Sequence, residues 1–217
     1  MKILKNRGMP VWGVAIHQTG SGIVDLAKRH GVSPLEKAVA FYVDPDNYSA
    51  HYVIGYGGEI VQISPEDSKA MHIGFPAGQR VAFLNGSWED EVSPATVAAW
   101  HARWPGYKCP ASLFPGPSPN AAYVGIEMIP IDGEKPFFEG ALYTEEQHYA
   151  VIALARDIAA RNVLPVGWER AGRLVGHEDV NPISRHTKSG GWDPGGLRTK
   201  PWLDWDYIRK GIAGNGV

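Results

Sequence analysis

Apolar and polar positions follow two periods along this chain, and the switches between them mark out its elements. Val11, Trp12, Val14, Ala15 and Ile16 form a short, nearly unbroken apolar run that ends at His17. A run that short predicts a buried strand rather than a helix. His51–Gly55 and Glu59–Ile63 predict two more strands, and Tyr56-Gly57-Gly58 between them supplies the glycines of a tight hairpin. Tyr123–Ile129 and Leu174-Val175-Gly176 complete the strand-like runs. The helical period is clearest where Val151, Ile152, Leu154, Ala155, Ile158 and Ala159 share one face. Thr144-Glu145-Glu146-Gln147 caps that helix and Asn162 ends it. Ser33-Pro34-Leu35-Glu36 is a second capping box, with proline at the first helical position. Its helix runs through Ala38 and Phe41 to about Val43, where Asp44-Pro45-Asp46-Asn47 breaks it. Ser93-Pro94 opens a shorter helix through Val97, Ala98 and Trp100, and Asp204 caps a last one through Tyr207 and Ile208.

Strands interleaved with helices predict an α/β fold: a mixed central sheet with helices on both faces. The strand ending at His17 is expected to be central, with the helix from Thr144 packed against the sheet. Roughly residues 75–122 depart from this pattern. Pro105, Pro110, Pro115, Pro117 and Pro119 alternate there with Gly106 and Gly116, a composition unsuited to central strands. The expectation is an insertion at the rim of the sheet. At 217 residues the chain is expected to form one domain, 1–217, with its core at 11–210. It shows no internal repeat and no low-complexity tail.

Composition narrows the partners. Hydrophobic residues make up 44% and charged residues 20%, as in a globular protein. A net charge of −2 gives no general case for nucleic acid. The single cysteine, Cys109, rules out an intrachain disulfide framework. Met1-Lys2-Ile3-Leu4-Lys5-Asn6-Arg7 has no long apolar run behind its charges, so no secretory signal and no membrane span are expected. The expectation is a monomer made in the cytoplasm, which would need release by some other agent to reach an outside substrate.

The chemistry concentrates at three places. His17 closes the first strand, His177 lies in Gly176-His177-Glu178-Asp179-Val180, and Asp193 heads Asp193-Pro194-Gly195. Either histidine alone reads as a core or surface residue. Two neutral nitrogens and a carboxylate together make the ligand set of a hydrolytic zinc site, which keeps a fourth position open. Glu127 sits among Tyr123, Val124, Ile126 and Met128, where an ionisable group is costly unless it has work to do.

The motifs Ala15-Ile16-His17-Gln18-Thr19, Ala50-His51-Tyr52-Val53-Ile54, Met71-His72-Ile73-Gly74, Asn120 with Val124-Gly125-Ile126-Glu127, Gly176-His177-Glu178-Asp179-Val180 and Asp193-Pro194-Gly195 occur in that order. In this order they resemble the zinc-dependent N-acetylmuramoyl-L-alanine amidases. That type 2 family includes phage lysozyme-type amidases, muropeptide-recycling amidases and peptidoglycan recognition proteins. The resemblance covers about residues 11–210, apart from the proline-rich insertion. It implies one zinc ion on His17, His177 and Asp193, with Glu127 as the catalytic carboxylate. Asn120 and His72 are implied to touch the sugar or stem peptide, while His51 reads as structural. One departure stands out: the family commonly has a lysine two residues before the third ligand, and here that residue is Gly191. Lys188, in a lengthened glycine-containing loop, is expected to take the role, with Arg185 or a backbone donor as the alternative.

The resemblance implies hydrolysis of the amide between N-acetylmuramic acid and L-alanine in peptidoglycan. Zinc would polarise the carbonyl and activate water, Glu127 would carry the proton and Lys188 would oppose the oxyanion. A phage endolysin or related lytic amidase, acting on the cell wall after release, is the first expectation. The alternatives are a cytoplasmic amidase recycling anhydro-muropeptides, or a peptidoglycan-binding module without catalysis. Binding alone needs no open metal site, which argues against the last.

Overall fold

A computed structural model describes residues 7–74, 77–134, 136–185, 193–194 and 203–214. Strands β1 (Gly13–Gln18), β2 (Tyr52–Ile54), β3 (Ile60–Gln62), β4 (Tyr123–Met128) and β5 (Leu174–Gly176) form one sheet in the order β3-β2-β4-β1-β5. All neighbours are parallel except β2 and β3, the hairpin expected from its glycines. β4 is thus the middle strand, and β1 lies beside it, flanked on both edges. The mixed sheet carries helices on both faces, as the interleaved pattern predicts.

The capping signals translate directly. α1 (Ser21–His30) precedes α2 (Pro34–Val43), whose Ser33 box is closed at both hydrogen bonds. The proline-rich region holds α3 (Ala77–Asn85), α4 (Trp88–Glu91), α5 (Pro94–Arg103) and α6 (Pro119–Ala122). The long α7 (Glu145–Arg161) starts at the Thr144 box and ends at Asn162. Two short turns, α8 (His177–Val180) and α9 (Pro182–Arg185), follow β5, and α10 (Trp205–Ile212) is capped by Asp204. Among the described residues no helix is long and apolar enough to cross a membrane.

Side chains alternate across each strand, so the parallel register assigns the faces. Val14, Ile16, Val124, Ile126, Met128 and Ile54 point to one side and pack with Val151, Ile158 and Ile208 of α7 and α10. On the other side the cover is divided. α1 and α2 bring Ile23, Val24 and Ala38 against Val53. The proline-rich region brings Phe83, Trp88, Trp100 and Trp104 against Ala15, Tyr123 and Val175. Residues 77–122 therefore cover a face of the sheet and do not sit at its rim. Their own aromatic core makes this possible, since Trp88 and Trp100 are fully buried and meet edge to face at 5.4 Å.

Candidate active site

Between those two covers, at the carboxyl ends of the strands, the sheet is left with polar side chains. His17 and Glu127 are the penultimate residues of β1 and β4 and are register partners. They therefore rise from the same face of adjacent strands. β5 pairs with β1 through Ile16 and Gly176, which brings His177, the first residue of α8, beside His17. The two imidazole centres are 5.0 Å apart. A side chain at Gly176 would put its Cβ 2.8 Å from Pro194 Cδ, so glycine is what lets the Asp193–Pro194 segment pass against the end of the strand. Asp193 is then fastened on several sides. Its backbone N–H donates to the Glu178 carboxylate at 3.2 Å, and its carbonyl accepts from the Glu178 N–H at 3.1 Å. Its Oδ1 accepts from the Gln18 N–H at 2.5 Å.

The sequence-predicted ligands are brought together. One ligand atom from each of His17, His177 and Asp193 lies within 4.8 Å of the others, and all three residues are buried. A tetrahedral zinc with bonds of about 2.1 Å spaces its ligand atoms about 3.4 Å apart. Asp193 Oδ2 lies 3.7 Å from His17 Nδ1 and 3.1 Å from His177 Nδ1, which brackets that spacing. Burial pushes the His177 ring down to about 4, against the opposing pull of Asp193, so it is neutral near pH 7. Burial would raise the Asp193 carboxyl, but its contacts with His17 and His177 outweigh this and hold it well below the usual carboxylate range. A neutral imidazole and an anionic carboxylate are the protonation states a zinc site requires, so the donor set fits the ion.

Glu127 stands beside this cluster, buried, with Oε2 lacking a hydrogen-bond partner among the described residues. Burial pushes its carboxyl up to about 7; His17 and a Tyr42 hydrogen bond pull it down and Asp193 pushes it further up. A carboxyl poised near neutrality with an open oxygen suits a group that takes and returns a proton. Tyr42 was not singled out in the sequence, where it reads as one more apolar position of a periodic helix.

The cavity in front of these groups has a volume of about 410 Å³. Its walls include Glu127, Asp193, Tyr42, Phe41, Tyr48 and Arg185. The Arg185 guanidinium is 2.9 Å from His177 Nδ1 and 3.5 Å from Asp193 Oδ2. It is a cation at the mouth of the cluster. Lys188, the expected cation, lies outside the described residues, as do His186 and Trp192.

Asn120 and His72 were expected to touch substrate, and the structure gives their polar atoms other partners. Asn120 is buried; its Oδ1 accepts from the His72 and Ile73 N–H groups at 3.1 and 2.8 Å, and its Nδ2 donates to the Ile73 carbonyl at 2.8 Å. His72 borders the cavity, yet its two ring nitrogens contact His17 Nε2 at 2.9 Å and the Tyr123 carbonyl at 3.2 Å. Burial, followed by the nearby His17, drives His72 well below the usual histidine range, so it is neutral. His51 accepts from the Gly125 N–H at Nδ1 and donates from Nε2 to the Ser68 carbonyl, so both its nitrogens are committed to the fold.

The family model described as N-acetylmuramoyl-L-alanine amidase matches residues 7–196. No curated protein matches the chain. Similar solved structures include a selenomethionine derivative of AmpD, with 20% identity and a TM-score of 0.47, covering 94% of this chain and 86% of that one. The amidase LysC from Clostridium intestinale URNW has 17% identity and a TM-score of 0.43, covering 94% and 85% respectively. AmpDh3 from Pseudomonas aeruginosa, solved with an anhydromuramic pentapeptide, has 16% identity and a TM-score of 0.45, covering 94% of this chain and 60% of that one.

Proposed function

The chain belongs to the N-acetylmuramoyl-L-alanine amidase family and is an enzyme of that activity, and we propose that it works with one zinc ion held by His17, His177 and Asp193, with Glu127 moving the proton. The observation that carries this reading is the register pairing of His17 with Glu127. It sets a buried carboxyl with an open oxygen beside a buried three-ligand cluster. When bound, zinc supplies the Lewis acidity that amide hydrolysis needs.

The chain's own groups supply the rest. Glu127 Oε2 takes a proton from the attacking water and gives it to the departing L-alanine nitrogen. Tyr42, hydrogen-bonded to Glu127, fixes the carboxyl's orientation. Arg185, already at the mouth of the cluster, opposes the negative charge that develops on the carbonyl oxygen. Lys188, a few residues before Asp193 in the sequence, is the second candidate for that task.

The substrate is proposed to be polymeric peptidoglycan, cut as by an endolysin after the enzyme reaches the cell wall. The cavity's border supports this: Gly20, Tyr48 and Gly74 on it are exposed, so a long glycan can lie across it. The reading treats residues 1–217 as a single amidase domain with its core at 11–210. The direct test compares purified sacculi with soluble anhydro-muropeptides, using protein stripped by a chelator and then resupplied with zinc. The expected result is zinc-dependent loss of turbidity with new L-alanine amino termini. Cleavage of the soluble substrate alone would transfer the enzyme to muropeptide recycling. Full activity in the stripped protein would remove the metal from the mechanism.

A further inference from the structure

Four features the amidase chemistry does not use meet at one point: His72, Asn120, the Tyr123 carbonyl and the bare backbone of Gly125. A carbonyl oxygen can only accept, so the 3.2 Å contact with Tyr123 places the His72 proton on Nε2. A neutral imidazole has a single N–H, so His72 Nδ1 is an acceptor. His17 Nε2, 2.9 Å away, must then be the donor. The proton of a neutral His17 is thereby fixed on Nε2, and its Nδ1 keeps a free lone pair. That atom is the one facing Asp193 Oδ2, at 3.7 Å.

We propose that His72 is a positioning residue that locks His17 in the ring orientation and tautomer needed for metal binding, through a relay running from His17 Nε2 to His72 to the Tyr123 carbonyl. The proposal rests on the reading of His17 as a zinc ligand. Ligating histidines commonly donate their second ring N–H to such a partner, and its loss weakens metal binding about 10–100-fold.

The surroundings are built to hold this relay. Asn120 grips the backbone on both sides of the His72 peptide, through the two N–H groups it accepts and the Ile73 carbonyl to which it donates. The His72 ring lies flat against β4 where a side chain would otherwise stand: a Cβ at Gly125 would sit 2.5 Å from His72 Cγ. That collision is with a ring already held at both nitrogens, so it has no cheap escape. On its far side His51 offers no competing donor, since its nitrogens are bound to Gly125 and Ser68. The orientation of His17 thus depends on a residue that needs no contact with substrate.

The test measures zinc affinity of the metal-free protein by competition with a chromogenic chelator, for wild type, His72→Phe and His72→Asn. Phenylalanine fills the space without an acceptor, whereas the asparagine Oδ1 can accept near the position of Nδ1. The expected result is affinity about 10–100-fold weaker in His72→Phe and largely restored in His72→Asn. Equal affinity in folded His72→Phe, or no recovery in His72→Asn, would overturn the proposal. Nitrogen-15 NMR of the metal-free wild type supplies an arm that needs no variant to fold. His17 is expected as the Nε2–H tautomer, and an Nδ1–H tautomer would overturn the relay. Wild type that binds no zinc would instead defeat the metal reading, and the NMR result would still decide the hydrogen bond.

Discussion

The two faces of the β1–β4 pair share one backbone and obey opposite rules. Toward α7 the strands present Val14, Ile16, Val124, Ile126 and Met128, all fully buried. Each such side chain contributes about 1.5–3 kcal/mol through removal from water. One residue along, the same strands present Tyr123 and Ala15 to the aromatic cover and then, nearer their carboxyl ends, Gly125, His17 and Glu127. Toward its carboxyl end that second face gives up hydrophobic burial and adds the cost of burying ionisable groups. At the carboxyl ends of β1 and β4, apolar packing is therefore confined to the α7 side, while the opposite side carries the polar cluster.

The sharpest way to break this division is His17→Ala. It should remove metal binding and reduce hydrolysis to background while the α7 face keeps the protein folded, as read by metal content and circular dichroism. Retained zinc together with retained activity would show that the cluster is not the site. Next in size is Glu127→Gln, which should keep zinc and fold yet lower turnover at least about 100-fold. Near-normal turnover would return Glu127 to an ordinary strand residue. Its neighbour supplies the opposite case: Ile126→Ala should cost about 2–5 kcal/mol in denaturant unfolding and leave turnover per folded molecule unchanged. A selective loss of turnover there would mean that the faces are coupled.

The smallest effect is a pH dependence of the metal-free protein. Burial raises the Glu127 carboxyl from an ordinary value of 4.5 to about 7 in the folded state. Between those values the folded state holds the proton more tightly than the unfolded chain does. Its contribution to stability is therefore fully present below 4.5 and is lost as pH rises through about 7, by up to about 1.4 kcal/mol per pH unit. Glu178, also raised by burial and by Asp179, to about 8, acts with the same sign. The checking measurement is the difference in unfolding free energy between wild type and Glu127→Gln, which should turn against wild type across that window. A flat difference would show that the carboxyl is not perturbed by the fold.

Much of the architecture was legible because its signals are local. Ser33, Ser93, Thr144 and Asp204 each place a side-chain oxygen on the first turn of a helix, and each helix begins there. α1 escaped because its N-cap is Gly20, which has no side chain to announce it. The ligand set was legible because few other tasks bring a strand-end histidine, a second histidine and a loop aspartate together. The placement of residues 77–122 was not legible, because composition excludes a central strand without saying which face a helix will cover. Tyr42, and the commitments of Asn120 and His72, depend on contacts between elements far apart in sequence. No period or spacing encodes those contacts, because Tyr42, Asn120 and His72 all lie outside the strands.

The positions of the proposed ligands along the chain also govern when the cluster can be completed. His17 emerges before Glu127, and Asp193 only after β5 has been made. Chains lengthen at about 5–20 residues per second, and a site open to metal cannot form until its last ligand has left the ribosome. A nascent or prematurely terminated chain that stops short of residue 193 can thus build most of the sheet while remaining unable to complete the cluster. Completion of the proposed cluster is therefore timed by the stretch of chain between His17 and Asp193, and not by the assembly of the sheet.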